Sequence, residues 1–202
     1  MPRPPATDHA PCRRDAVTAD SPLQQASLAC ALLTMVATSL IAAPGPDGLL
    51  GAVLAALMLA ISVTDADRYL IPNELTGAAA ALALFRAAAL GPDADAWALL
   101  WAVGRALIVA LPMLGLMAGY RALRGRDGLG LGDVKLAAVA GVWLGLPMLF
   151  AAIELAALAA IGAYLLNAAI KRRPLKSTAF LPFGTFLAPA IWLGWLAEAL
   201  LG

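Results

Sequence analysis

Residues 97–119 read WALLWAVGRALIVALPMLGLMAG, and Arg105 is the one charge among them. At about 1.5 Å of rise per residue, a helix of this run crosses the roughly 30 Å hydrocarbon core of a bilayer. Six further apolar stretches flank it, at 26–43, 49–64, 75–90, 134–147, 149–170 and 181–201. Turn chemistry separates them: Pro44-Gly45-Pro46-Asp47-Gly48 in one gap, Gly91-Pro92-Asp93 in another. The break at Gly145-Leu146-Pro147 is weaker, so 134–170 reads as one bent helix or as two. Several runs are short for a full crossing, which predicts a locally thinned bilayer.

The composition agrees. The chain has 202 residues, 62% hydrophobic and 13% charged, with a mean hydropathy of +0.83. Soluble domains are closer to half apolar and a quarter charged. Disorder, a collagen, a disulfide scaffold and a nucleic-acid binder with a large basic face are all excluded. The fold class predicted is all-α, a polytopic membrane protein of about seven helices. Abundant Ala and Gly let such helices pack closely.

The distribution of the 14 Lys and Arg residues then orients the chain. Arg3, Arg13 and Arg14 precede the first stretch, and Arg68 follows the second. Arg121, Arg124, Arg126 and Lys135 follow the fourth; Lys171, Arg172, Arg173 and Lys176 follow the sixth. The alternate loops carry none. Basic loops stay in the cytoplasm, so seven crossings with the N-terminus inside satisfy every loop, provided Pro147 marks a true break. The expected organisation is a mobile cytoplasmic tail over 1–25 and a transmembrane domain over 26–202. The tail holds His9, read as solvated. Cys12 and Cys30 form no Cys-x-x-Cys pair and are read as free thiols. The long Pro-rich lead argues against a cleaved signal peptide.

Charge beside an apolar run is costly and marks candidate chemistry. Two segments qualify. The first is Thr64-Asp65-Ala66-Asp67-Arg68-Tyr69-Leu70-Ile71-Pro72-Asn73-Glu74, with Asp65 at the cytoplasmic end of the second helix and Asn73 expected to cap the third. An ordinary solvated loop is the alternative. The second is Gly128-Leu129-Gly130-Leu131-Gly132-Asp133-Val134-Lys135, where alternate glycines allow close backbone approach and Asp133 opens the fifth stretch. Here the alternative is a helix cap. Both aspartates fall on one membrane face. Partial burial and mutual repulsion let such a pair share a proton, one acting as acid and the other as base. That is what activating water against a peptide bond requires.

Asp65 through Pro72-Asn73 resembles the first aspartate motif of the prepilin peptidases. Gly130-Leu131-Gly132-Asp133 with Lys135 resembles their GxGD motif, and Pro182-Phe183-Gly184 their last-helix segment. Three motifs in order, over roughly 49–200, make the resemblance specific. It implies a membrane aspartyl protease with Asp65 and Asp133 as catalytic pair and Asp67 dispensable. The supporting motif residues would be Pro72, Asn73, Gly130, Gly132, Lys135, Pro182, Phe183 and Gly184. The substrates implied are type IV prepilins or pseudopilins, cut at the cytoplasmic face of the inner membrane. No cofactor, metal or nucleic acid is expected. Larger members carry a cysteine-paired domain and N-methylate the product; this chain resembles the short, peptidase-only branch.

Arg86, Arg105, Glu154 and Asn167 lie inside apolar runs and are expected to pair across helices rather than catalyse. Trp192 and Trp195 read as packing or interface residues. The last-helix Pro-Phe-Gly also reads as a simple kink. Presenilin-type GxGD proteases differ in their first and last motifs. A proton-coupled small transporter using Asp65 and Asp133 is the main alternative, although transporters place such groups at mid-membrane. A non-catalytic scaffold leaves the motif spacing unexplained.

Overall fold

Ser21 and Pro22 start the first helix, the serine hydroxyl accepting from the Gln24 N–H and the proline preset for a helical φ. This is why α1 runs Pro22–Ala42, a turn ahead of its apolar run. The structure is a computed structural model describing residues 21–90, 96–125, 130–172 and 182–201. Among these residues α1 is followed by α2 (Pro46–Arg68), α3 (Asn73–Ala89), α4 (Ala96–Arg124), α5 (Leu131–Trp143), α6 (Leu146–Ile170) and α7 (Gly184–Leu201). The tail with His9 and Cys12, and Gly128 with its neighbours, lie outside the described residues. Cys30 is exposed and free.

Each helix answers one apolar stretch, and no strand occurs among the described residues. The chain is an all-helical, multi-pass membrane protein: α1, α2, α4, α6 and α7 are long and apolar enough to cross a bilayer. α3 and α5, at 17 and 13 residues, are shorter.

The 134–170 region resolves into two helices. Leu144 turns extended (φ −106°, ψ 147°), and Pro147 sits in the first turn of α6, where its missing N–H costs nothing. At its other end α5 starts at Leu131, ahead of the apolar run, because extended Gly130 supplies the cap position.

α5 is the strut of the bundle, packed against α3, α4 and α7, with Leu136 and Leu144 fully buried. α4 approaches so closely that a Cβ on Gly141 would lie 2.7 Å from the Ala106 backbone. α2 packs on α1, α3 and α7, and the Trp195 ring fills the space a side chain at Gly51 would need. Trp192 donates from Nε1 to Ser39 Oγ at 3.0 Å, joining α7 to α1. Both tryptophans are therefore packing residues.

The α5–α6 break leaves orphan backbone groups, and charged side chains satisfy them from other helices. Arg105 donates from Nε to the Gly141 carbonyl at 3.1 Å, and Arg86 Nη1 lies 3.5 Å from the Trp143 carbonyl. Cations thus meet the negative end of α5. Glu198 accepts from the Gly145 N–H at 2.7 Å, an anion at the start of α6. Arg86 is further paired with Asp47 and lies over the Trp143 ring. These four charges hold helices together at one end, as expected for Arg86 and Arg105. Glu154 and Asn167 are exposed on α6.

Candidate active site

The opposite end of the bundle gathers the last turn of α2 and the first turns of α3, α5 and α7. Asp65 lies in the last turn of α2 with only 5% exposure. Its Oδ2 accepts from the Thr185 N–H at 2.8 Å and lies 3.2 Å from Thr185 Oγ1. One turn earlier, Ser62 donates its hydroxyl to the Thr185 carbonyl at 2.8 Å. The start of α7 is thereby stitched to the end of α2, and its free N–H groups face a carboxylate.

Asp133 occupies the third position of α5. Its own N–H bonds the Gly130 carbonyl at 3.1 Å, and the backbone N–H groups of Gly130 and Gly184 lie near enough to its carboxylate to favour the charged form. Gly184 and Thr185 are consecutive: the first N–H lies near Asp133 and the second bonds Asp65. The start of α7 is wedged between the two carboxyl groups.

Asp133 stands ahead of the apolar run of α5, outside the five span-length helices. Burial, and then the nearby Asp65 charge, push its carboxyl up to about 6, against the partial opposition of the two backbone N–H groups. Asp133 therefore keeps its proton to a higher pH than a solvated aspartate does. Such a pair can both withdraw a proton from water and donate one to a carbonyl.

Glycine is needed where the wedge is tightest. A Cβ on Gly184 would fall 2.6 Å from Ile71 Cδ1 and 3.0 Å from Asp65 Oδ2. On Gly132 it would meet Ile71 Cβ at 3.1 Å. Ile71 is held between the two glycines, and through it the three motifs touch. The Pro-Phe-Gly segment is therefore part of the site, beyond any kink: Phe183 packs on the core and its carbonyl accepts the first helical N–H groups of α7.

The cap expected at Asn73 is corrected. Pro72 takes the cap position, with no side-chain bond, and Asn73 is the first helical residue. Its Oδ1 accepts from Lys135 Nζ at 2.9 Å, tying α3 to α5 beside Asp133. Asp67 is exposed and apart from the pair. Sequence reasoning gave no role to Ser62, Ile71 or Thr185. A hydroxyl one turn before Asp65, and another directly after Pro-Phe-Gly, were the available signals. Among the described residues no group of three or more His, Cys, Asp or Glu side chains is placed to hold a metal ion.

The fold and this site define a multi-pass helical protein with paired carboxylates at one end of the bundle. Residues 52–166 match the type IV leader peptidase family, and the chain belongs to that family. Leader peptidase HopD of Escherichia coli is 34% identical, over 70% of this chain and 88% of its own length. The prepilin leader peptidase/N-methyltransferase of Aeromonas salmonicida is 32% identical, over 90% of this chain and 59% of its own. That of Aeromonas hydrophila is 29% identical, with shares of 81% and 54%. The chain thus spans little more than half the length of these two relatives. No solved structure gives a significant match.

Proposed function

We propose that the chain is an aspartyl endopeptidase of the inner membrane that removes the leader from type IV prepilins or pseudopilins at the cytoplasmic face. The observation that carries this reading is the convergence of Asp65 and Asp133 on the consecutive N–H groups of Gly184 and Thr185. In this mechanism the ionised aspartate takes a proton from water, which attacks the scissile carbonyl. The protonated one donates to the carbonyl oxygen. The proton taken from water then passes to the leaving amine as the C–N bond breaks, and a hydroxyl of the gem-diol returns its proton to the other aspartate. Either member can open the cycle as base. The chain crosses the bilayer seven times, N-terminus inside, with the residues ahead of α1 in the cytoplasm. It uses neither metal nor cofactor and binds no nucleic acid.

The test is leader removal from a matched prepilin in liposomes. Asp65→Asn and Asp133→Asn should each abolish cleavage, because an amide keeps the shape but cannot exchange a proton. The double variant should be no worse than either single one. Exposed Asp67→Asn should retain most activity, and a chelator should have no effect. Robust cleavage by either single variant of the pair would end this reading. The transporter reading predicts instead a proton flux across sealed vesicles with no proteolysis. The position of both carboxylates at helix ends disfavours it.

A further inference from the structure

Both contacts that Thr185 makes with the Asp65 side chain end on the same oxygen. The Thr185 N–H donates to Oδ2 at 2.8 Å, and Thr185 Oγ1 lies 3.2 Å from that atom. The hydroxyl also lies 3.4 Å from the Ser62 carbonyl, but the contact with the carboxylate is shorter and stronger in kind, so its hydrogen points there. Gly184 presses on the same atom, since a Cβ there would fall 3.0 Å from Oδ2. Oδ2 is therefore closed in by the first two residues of α7, and Oδ1 takes no part in these contacts.

A separate bond holds the same junction without touching the carboxylate. Ser62, one turn before Asp65, donates to the Thr185 carbonyl at 2.8 Å. The docking of α7 on α2 thus does not depend on the threonine hydroxyl, which is left to act on Asp65. A β-branched side chain is stiff at χ1, so this hydroxyl keeps its direction. The two aspartates are consequently unlike. Asp65 is gripped from one side by a backbone N–H and a side-chain hydroxyl, whereas Asp133 has the backbone N–H groups of Gly130 and Gly184 near its carboxylate. Burial first, and the Asp65 charge second, push the Asp133 carboxyl up, which places the proton of the pair on Asp133.

We propose that Thr185 is a positioning residue that fixes Asp65 by Oδ2 and presents Oδ1 as the general base, leaving Asp133 as the acid. The inference rests on the peptidase reading above, which either aspartate satisfies as base; Thr185 breaks that symmetry. In the attack, water gives a proton to Asp65 Oδ1 as its oxygen bonds the scissile carbon, and the carbonyl oxygen takes the Asp133 proton. In the collapse, Oδ1 passes its proton to the leaving nitrogen as the C–N bond breaks, and a gem-diol hydroxyl reprotonates Asp133. A carboxylate free to swing would meet the water with either oxygen and in many directions. One held at Oδ2 meets it with a single oxygen in a set direction. Because Thr185 acts through the base, its contribution falls on kcat.

Two arms test this. Thr185→Val keeps the branched shape, the backbone N–H and the bond from Ser62, and removes only the hydroxyl. In cleavage of a matched prepilin in liposomes it should lower kcat about tenfold, the order of one hydrogen bond to a charged group, with KM within about twofold of wild type. Thr185→Ser restores the hydroxyl and should bring kcat back to within about threefold of wild type. Ser62→Ala loosens the same junction without touching the carboxylate, so it should lower the thermal midpoint yet cost less kcat than Thr185→Val. Wild-type kcat in Thr185→Val, a serine variant no better than the valine one, or an equal kcat loss in Ser62→Ala overturns the inference. The second arm reads base and acid without substrate. A small epoxide is opened by a carboxylate anion, whereas a diazo ester takes the proton of a carboxylic acid and is then esterified with loss of dinitrogen. At pH 5, peptide mass mapping should find the epoxide adduct on Asp65 and the diazo adduct on Asp133; the reverse overturns the inference. If the labels divide as expected but wild type cuts no prepilin, the assignment of charge stands and the peptidase reading fails. Cleavage with reversed labels gives the opposite.

Discussion

Replacing Gly184 by alanine is the sharpest test of the wedge between the carboxylates. The new Cβ would begin 2.6 Å from Ile71 Cδ1 and 3.0 Å from Asp65 Oδ2. To restore ordinary carbon contact, Ile71 must retreat by about 0.8 Å and Asp65 by a few tenths of an ångström. Ile71 has little room, because it also packs close to Gly132, where an added Cβ would lie 3.1 Å from Ile71 Cβ. Overpacking of this kind costs about 1–3 kcal/mol. The rate should suffer more, since misplacing catalytic groups by about 1 Å costs on the order of 100-fold. We expect kcat to drop roughly 10- to 100-fold in single-turnover cleavage, with a modest fall in thermal midpoint in detergent. Adding Ile71→Val removes Cδ1, and with it the closest contact, but leaves the contact with Asp65. The double variant should recover stability while kcat stays low. Wild-type kcat in Gly184→Ala, with the protein folded, would refute the placement of α7 between the aspartates.

Three further outcomes follow from the same structure. With the Asp133 carboxyl up at about 6, the folded state favours its protonated form, so the associated stability is present below the ordinary value of 3.8 and lost as pH rises through about 6. The thermal midpoint of wild type should rise relative to Asp133→Asn between pH 8 and pH 5; a fall would reverse the assigned direction. In Asp65→Asn the second cause of the shift is gone, so the Asp133 carboxyl band in infrared titration should move to lower pH while remaining above 3.8, because burial persists. A reporter active only in the periplasm, fused after Gly202, should give signal if all seven helices cross; silence from a well-expressed fusion would mean that α3 or α5 does not.

Much of this was legible because the physics was local. Apolar runs and Pro or Gly breaks set out the helices, and the family motifs marked both aspartates. The misplaced boundaries have a common cause: hydropathy ends where polarity begins, whereas helices end where backbone caps allow. Gly130 carries α5 ahead of its apolar run, and Ser21-Pro22 does the same for α1. Asn73 has the residue type of a cap, but Pro72 is already at the cap position and Lys135, 62 residues away, takes the side chain. Nothing in local pattern could announce that bond. The same holds for Thr185 and Ile71, whose roles depend on α2 and α7 meeting across 120 residues of sequence. Arg86 and Arg105 were visible as anomalies; that they cap the broken end of α5 became clear only once the break was placed.

The length of α5 ties the two polar ends of the bundle to one requirement. Its 13 residues rise about 20 Å, against roughly 30 Å of hydrocarbon. Asp133 stands at one end, and Arg86, Arg105 and Glu198 gather at the other. A strut this short leaves one polar end at membrane depth, where its charges have to be paired inside the protein. On the proposed reading hydrolysis needs water at Asp65 and Asp133, so the first turn of α5 has to reach the membrane surface. A short helix meets this demand while its far end stays inside the bundle. The charges at its far end are then the condition for ending a helix that early, because each backbone group released at the break must find a partner inside the protein.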